Sequence, residues 1–275
     1  MNGASGGLAR NQAPNTSPIG HMPGIYDRVR NFSIRKGARL FFRRNFKIRT
    51  DTPLVSFTFD DFPRSALYTG GAILKAYGLT GTYYAGFGLM GTQIETGEMF
   101  LPEDLKVLFE QGHELGCHTF DHYDSSTTNP RVFEGSIIKN RLALGEAFPN
   151  ASFKTFSYPI NQPRPLTKQR AARHFVCCRG GGQTFNAGTT DLNHLNAYFI
   201  EKSRDDLDAI RDVIERNRRA RGWLILATHD ICNEPSLWGC TPEVFDKVVQ
   251  YAVNSGSRIL PVAQAWEALC ASGSS

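Results

Sequence analysis

Carboxylate and imidazole side chains follow three apolar runs in this chain of 275 residues. Asp60 and Asp61 end the first run, His118 and His122 stand four residues apart after the second, and His229 follows the third. Two imidazoles and one carboxylate fill three positions around a divalent cation and leave the others open to water, as in a catalytic metal site. The second carboxylate and the third imidazole can then act as base and acid. The pattern predicts a metal-dependent hydrolase.

Three segments, in this order along the chain, resemble the motif series of the polysaccharide deacetylase family (NodB-homology, carbohydrate esterase family 4-like). They are Thr58-Phe59-Asp60-Asp61, the pair His118 and His122, and Leu226-Ala227-Thr228-His229. The similarity spans roughly residues 53–270. Three motifs in register are far more specific than any one of them alone.

The resemblance implies a role for each of these residues. Asp61, His118 and His122 would hold a divalent metal, with zinc as the default and cobalt, iron or nickel also compatible with such a ligand set. Asp60 would take a proton from metal-activated water, and His229 would protonate the leaving nitrogen. Successive side chains in an extended segment point in opposite directions, so one aspartate can ligate while the other faces the substrate.

The family's third motif is altered here, because Thr155-Phe156-Ser157-Tyr158-Pro159-Ile160-Asn161 lacks the arginine with which that motif usually begins. The segment resembles the arginine-less Ser-Tyr-Pro variant. By that resemblance the backbone N–H of Tyr158 is the expected oxyanion donor and its ring lines the substrate groove, with a core tyrosine as the alternative. Asp191 is the best candidate for a residue that orients the base or acid, with a turn or cap residue as the alternative.

A scaffold must position these side chains, and apolar strands alternate with helical patterns from residue 54 onward. Strands are predicted near 54–60, 81–87, 113–117, 154–157, 174–178, 223–228 and 257–260, and helices near 65–77, 102–111, 131–147, 166–172, 203–220, 241–254 and 262–270. About seven βα units predict an α/β fold with a single distorted (β/α)7-type barrel, TIM-barrel-like and of the NodB-homology kind. The acidic pair, His118 and His229 then follow strands, at the face where such barrels place their chemistry.

The sequence divides into four parts. Residues 1–27 are expected to be a disordered arm or, since Gly20-His21-Met22 resembles a cloning remnant, an introduced segment. Residues 28–50 are expected to form a basic amphipathic segment, 51–271 the catalytic barrel, and 272–275 a flexible tail.

Positive charge is concentrated in residues 28–49, which hold nine Arg or Lys and no acidic residue, interleaved with apolar residues. This composition suits an anionic membrane or lipid-phosphate surface, while a helix with its aromatic face on the barrel is the structural alternative. No nucleic-acid reader motif is present, so no specific nucleic-acid partner is expected. With no apolar run typical of a signal peptide or membrane span, the expected location is cytoplasmic, including the membrane periphery.

These observations predict a hydrolase that removes an N-acyl group, most simply acetyl, from an amino sugar of a bacterial-type polysaccharide or lipid-linked glycan precursor. A cyclic amide or ureide hydrolase of the same fold is one alternative. A catalytically silent carbohydrate-binding protein is another, supported only by the missing arginine. The sugar, the metal and the oligomeric state do not follow from the sequence.

Overall fold

The computed structural model describes residues 36–161 and 163–273. Residues 36–40 are helical (α1), and the other helices are α2 (Ala72–Ala76), α3 (Pro102–Glu110), α4 (Pro130–Ala147), α5 (Pro165–Ala171), α6 (Leu207–Ala220), α7 (Pro242–Asn254) and α8 (Val262–Gly273). The strands are β1 (Asn45–Lys47), β2 (Leu54–Phe59), β3 (Thr82–Ala85), β4 (Gln93–Ile94), β5 (Gly97–Glu98), β6 (Glu114–Cys117), β7 (Thr155–Ser157), β8 (Cys177–Arg179), β9 (Thr189–Asp191), β10 (Tyr198–Phe199), β11 (Trp223–Thr228) and β12 (Arg258–Ile259).

One parallel sheet organises the molecule, with the strand order β10-β11-β2-β3-β6-β7-β8 and with β12 paired to the first residues of β2. Every residue of the two central strands, β2 and β11, is buried. Strands covered on both faces are mostly apolar, and these two are, with Ser56, Thr58 and Thr228 as their buried polar residues. Hydrogen bonds of Leu195 with Cys178 and Gly180 join β8 to the segment that enters β10. The sheet therefore curls on itself, and the predicted α/β fold with a (β/α)7-type barrel is confirmed.

Several helices begin where local capping signals place them. α7 follows Thr241, whose hydroxyl accepts a hydrogen bond from the N–H of Val244, and α4 follows Asn129, whose side chain accepts one from Arg131. Both helices start with proline, which needs no hydrogen-bond donor at that position. The helices predicted near 131–147 and 241–254 are confirmed to within one residue. The helix predicted near 203–220 begins later, at Leu207, because residues 200–203 form a 3-10 turn.

The sequence pattern does not predict five short strands: β1, β4, β5, β9 and β10. β1 pairs with β9 in antiparallel register, and β4 with β5 forms a hairpin. Each of these strands has two or three residues. A strand of that length shows no readable hydrophobic period, so only its pairing reveals it.

Residues 36–49 lie against the barrel without forming one continuous amphipathic helix. α1 is followed by β1, and Phe46 and Ile48 pack with buried residues of the barrel wall. Leu40, Phe41 and Phe42 are exposed instead. Residues 28–35 and the predicted arm 1–27 lie outside the described residues, and α8 extends through Gly273 into the predicted tail. Within the described ranges, no helix combines the length and apolarity needed to cross a membrane.

Candidate active site

The three predicted metal ligands converge at the carboxyl ends of β2 and β6. The Nε2 atoms of His122 and His118 lie 3.1 Å and 3.5 Å from Oδ1 of Asp61, and one ligand atom from each residue lies within 4.8 Å of the others. The backbone is left-handed at Asp61 (φ 62°) and at His122 (φ 51°). The two aspartates therefore diverge because the chain turns at Asp61, and not because the segment is extended. Backbone strain of this kind is concentrated at functional sites.

The hydrogen bonding of this group fits a divalent cation. His118 Nδ1 lies 2.8 Å from the carbonyl oxygen of Ser157, to which it donates, so its Nε2 carries a lone pair. That lone pair faces Asp61 Oδ1, a buried oxygen without a hydrogen-bond partner. Two acceptors that face each other repel unless a cation lies between them. Among the described residues, Asp61, His118 and His122 form the one group of His, Cys, Asp or Glu side chains whose ligand atoms are close enough together to hold a metal.

Burial and neighbouring charge set the protonation of the three ligands. Burial raises the pKa of Asp61, but the close contact with His122 and the charge of that imidazole outweigh burial and bring that pKa well below its usual range. Burial lowers the pKa of His118 to about 4. Burial also acts to lower the pKa of His122, but its contact with Asp61 raises that pKa above the ordinary value. At neutral pH the site therefore offers a carboxylate and a neutral His118.

The expected base, Asp60, forms a buried ion pair with Arg179 through Oδ1 and Nη2. Burial raises the pKa of Asp60, but the charge of Arg179, followed by those of His118 and His229, lowers it overall. Asp60 therefore stays ionised near neutral pH, as a proton acceptor must. The two partners are separated by 119 residues in the chain.

Arg179 supplies the cation that the third motif lacks. It is the last residue of β8 and lies opposite Ser157 of β7 in the parallel register, so it comes from the strand next to that motif. Its guanidinium lies 4.8 Å from the ring centroid of Tyr84 and 5.8 Å from that of Phe199. Gly116 makes room for the Tyr84 ring, because a Cβ there would lie 2.4 Å from it. Sequence reasoning missed Arg179, although an arginine just after the strand predicted near 174–178 was a usable signal.

The loop after β11 holds the expected acid, His229. Its Nδ1 lies 3.2 Å from the carbonyl oxygen of Trp238, an acceptor that places a hydrogen on Nδ1. The loop is shaped by Asp230, which accepts hydrogen bonds from both the N–H and the hydroxyl of Ser236. His229 is within electrostatic reach of both aspartates, since its charge lowers the pKa of each.

A buried carboxyl group that the sequence analysis did not single out, Glu201, follows β10. Burial raises its pKa to about 7, and the charge of His229 opposes that rise. Its Oε2 is buried and has no hydrogen-bond partner. A carboxyl group that titrates near neutral pH is thus placed within electrostatic reach of the expected acid.

Tyr158 does not take the position expected from the motif. Its side chain is fully buried, its N–H donates to the carbonyl oxygen of Arg179 at 3.0 Å, and its hydroxyl donates to that of Asn193. The N–H of Tyr158 is occupied by the pairing of β7 with β8, and its ring is packed in the barrel core. Tyr158 therefore offers neither a free oxyanion donor nor a groove wall, and the alternative of a core tyrosine describes it better.

The hydrogen bonds and the ion pair of Asp191 involve neither the expected base nor the expected acid. Its carboxylate pairs with the buried Lys168 and accepts a hydrogen bond from the backbone N–H of Arg44 at 2.9 Å. These contacts attach residues 36–49 to the barrel. Asp191 is therefore an anchor of the N-terminal segment, and Arg179 is the residue that contacts the base.

Comparison with known proteins agrees with this geometry. A family model described as polysaccharide deacetylase matches residues 47–175, which include both aspartates, His118 and His122. By this match the chain is similar to the polysaccharide deacetylase family. The similarity places the chain among the deacetylase-like hydrolases. Arg179 and His229 lie beyond the matched segment, so their placement rests on the structure.

Solved structures share the fold of this chain at low sequence identity. The Xyl-CE4 domain of a multidomain xylanase from the hindgut metagenome of Trinervitermes trinervoides is 16% identical, with a TM-score of 0.53 over 79% of this chain and 91% of that one. A family 4 acetyl xylan esterase from Clostridium thermocellum, in complex with a cobalt ion, is 19% identical, with a TM-score of 0.50 over 77% and 89%. A CE4 family pseudoenzyme from Bacillus anthracis is 14% identical, with a TM-score of 0.53 over 80% and 68%.

Proposed function

We propose that this protein is a metal-dependent deacetylase that removes an N-acyl group, most simply acetyl, from an amino sugar of a polysaccharide or lipid-linked glycan. One observation carries the proposal. The ligand group Asp61, His118 and His122 adjoins a second carboxylate, Asp60, that is held ionised by a buried arginine. A set that only bound metal would need no such base.

Each side chain of the site has a separate task in this proposal. Asp61, His118 and His122 would hold the cation, with zinc as the default, and the bound cation would polarise the acyl oxygen and make water more acidic. Asp60 accepts the proton of the attacking water. His229, with one hydrogen fixed on Nδ1 by the Trp238 carbonyl, presents Nε2 to the leaving nitrogen and, as imidazolium, donates the proton that nitrogen needs.

Arg179 is a positioning residue for the base. A guanidinium fixed over the Tyr84 ring holds the Asp60 carboxylate in one orientation and keeps it ionised. General bases are effective only within hydrogen-bond reach of the proton they remove, so orientation matters as much as charge.

The surroundings of His229 support a carbohydrate substrate. The Trp238 side chain is 45% exposed, and its ring centroid lies 6.3 Å from that of His229. An exposed indole beside the acid offers a flat apolar face for the C–H side of a sugar ring, while its body stays partly packed. Its place in the loop suggests that Trp238 orients the sugar whose N-acyl group is cleaved.

Acetate release from a panel of N-acetylated oligosaccharides and lipid-linked amino sugars tests the proposal. Metal-loaded protein should release acetate, and Asp60→Asn should abolish release while retaining the metal, measured by elemental analysis. His118→Ala should lose both metal and activity. One bound metal per chain with no acetate released from any substrate would contradict the proposal and favour a silent carbohydrate-binding protein.

A further inference from the structure

Three successive large apolar side chains are exposed beside the barrel. Leu40, Phe41 and Phe42 are 61%, 58% and 40% exposed, and no other run of three large apolar residues in the described ranges is exposed in this way. Single exposed apolar residues are ordinary, whereas a contiguous group points to an interaction site. We call residues 40–42 the apolar knuckle.

Buried polar groups hold the backbone of the knuckle in place. The fully buried Lys168 donates from Nζ to the carbonyl oxygens of Ala38 (2.6 Å) and Phe41 (2.9 Å), while the Asn193 side chain donates to that of Phe42 at 2.8 Å. Phe42 itself is left-handed, with φ 51°, which is unfavourable for a bulky residue. A buried lysine and a strained phenylalanine both cost stability. Their result is a fixed turn that presents its apolar side chains outward.

Positive charge surrounds the knuckle. Lys36, Arg39 and Arg43 are exposed on either side of it, and residues 36–49 contain no acidic residue. Apolar side chains flanked by cations match the interface of an anionic bilayer, where acyl chains lie beneath negatively charged headgroups. This charge complementarity favours an anionic lipid surface over a second, similarly charged copy of the chain.

The knuckle lies on the catalytic side of the barrel. Gly37 packs closely on Pro165, the first residue of α5, which follows the loop at the carboxyl end of β7. Two more apolar side chains of this region are exposed: Leu166, in the first turn of α5, and Ile160, two residues after Tyr158. Exposed apolar residues therefore occur both in the knuckle and in the segment after β7, the strand whose Ser157 carbonyl oxygen accepts a hydrogen bond from Nδ1 of His118.

We propose that the knuckle inserts into an anionic phospholipid bilayer and brings the active site to an N-acyl amino sugar carried on a membrane lipid. The lipid-linked substrate class rests on the proposed deacetylase function, whereas bilayer binding does not. A protein docked in this way meets sugars attached to the headgroup layer without extracting them from the membrane. The same chain would act on soluble oligosaccharides without help from the knuckle.

Vesicle binding of the full chain tests the insertion step. Vesicles of phosphatidylglycerol mixed with phosphatidylcholine are compared with phosphatidylcholine alone by co-sedimentation. The double variant Leu40→Ser/Phe41→Ser should bind anionic vesicles roughly a hundredfold more weakly, from the lost burial of two large side chains. Arg39→Gln should weaken binding about fivefold. The matched control is Leu142→Ser on α4, since Leu142 is 63% exposed and Leu40 is 61% exposed.

Binding of the wild-type chain that needs the anionic lipid, is lost in the double variant and is kept in the control supports the inference. No binding to phosphatidylglycerol vesicles at low salt overturns it, as does binding that the double variant retains. Wild-type dimers that the double variant converts to monomers, without vesicle binding, would assign the knuckle to a second copy and also overturn it.

Activity assays separate this inference from the proposed function. The double variant should keep acetate release from a soluble N-acetylated oligosaccharide and lose most release from a polyprenyl-phosphate-linked amino sugar embedded in vesicles. Equal activity of the wild-type chain and the double variant on the embedded substrate would contradict the proposed class of lipid-linked substrates. No activity on either substrate, with vesicle binding intact, would remove the deacetylase function and leave the bilayer contact standing.

Discussion

Replacing Arg179 by methionine tests whether the base depends on an arginine from a distant strand of the sheet, β8. Methionine keeps much of the side-chain volume between Tyr84 and Phe199 but removes the charge. Asp60 then stays buried, with only the imidazoles of His118 and His229 left to interact with its charge. Leaving one member of a buried ion pair without its partner costs about 3–5 kcal/mol. We expect Arg179→Met to lower the free energy of unfolding by about that amount.

The double variant Asp60→Asn/Arg179→Met measures the coupling free energy between the two charges. Asp60→Asn alone leaves the Arg179 guanidinium buried and uncompensated, with Nε and Nη1 already lacking partners. Asp60→Asn/Arg179→Met removes both charges, so its loss of stability should be smaller than the sum of the single losses by about 3 kcal/mol. In activity, Arg179→Met should lower kcat roughly a hundredfold through misplacement of the base, with little change in KM.

Urea unfolding in the presence of a chelator measures the stability cycle without a contribution from bound metal. Arg179→Lys serves as the conservative control, because it restores a charge but not the planar guanidinium, and should recover more stability than kcat. Additive losses, to within about 0.5 kcal/mol, would refute the coupling. A kcat of Arg179→Met equal to that of the wild-type chain would show that Arg179 does not act through the base.

Three further predictions concern other parts of the molecule. Burial lowers the pKa of His113 to about 4, with its Nδ1 accepting the Gly81 N–H. Below about pH 6.5 the unfolded chain then binds a proton that the folded chain does not. The free energy of unfolding therefore decreases as the pH is lowered, by about 2 kcal/mol at pH 5. Urea unfolding of His113→Asn should lack this decrease. A pH dependence equal to that of the wild-type chain would contradict the prediction. Lys168→Met should lower the free energy of unfolding in urea by about 3–5 kcal/mol, because the buried carboxylate of Asp191 loses its ion-pair partner. The kcat on soluble substrate should stay unchanged. A matching fall in kcat would indicate that Asp191 has a catalytic role. Trp238→Ala should raise KM for oligosaccharides about tenfold, a loss of roughly 1.4 kcal/mol of binding free energy. An unchanged KM in steady-state kinetics would contradict the role of Trp238 in binding the sugar.

The central strands and the metal group were predictable from the sequence for the same reason. β2, β6 and β11 belong to one parallel sheet, and the residues that follow parallel strands meet at one face of it. Position along the chain therefore specified Asp61 and His118 in space. Their roles as ligands still required their side-chain chemistry and their resemblance to a known motif series.

The contacts of Tyr158 and Asp191 were not predictable in this way. Motif position favoured both as parts of the site, but the N–H of Tyr158 is used by the pairing of β7 with β8, and Asp191 is used by Lys168. Which groups a strand partner or a buried charge engages depends on packing between elements. A single sequence shows no period or spacing that records such contacts.

By itself the sequence determined the alternation of strands and helices, the candidate ligand group and the residues proposed as base and acid, because local pattern, residue type and motif resemblance suffice for each. Only the tertiary structure decided what positions the base. Arg179 reaches Asp60 across 119 residues because the sheet curls, so that the carboxyl ends of β8 and β2 face each other across the barrel. Burial of both charges then makes that contact matter, since a carboxylate enclosed by the barrel needs a cation enclosed with it.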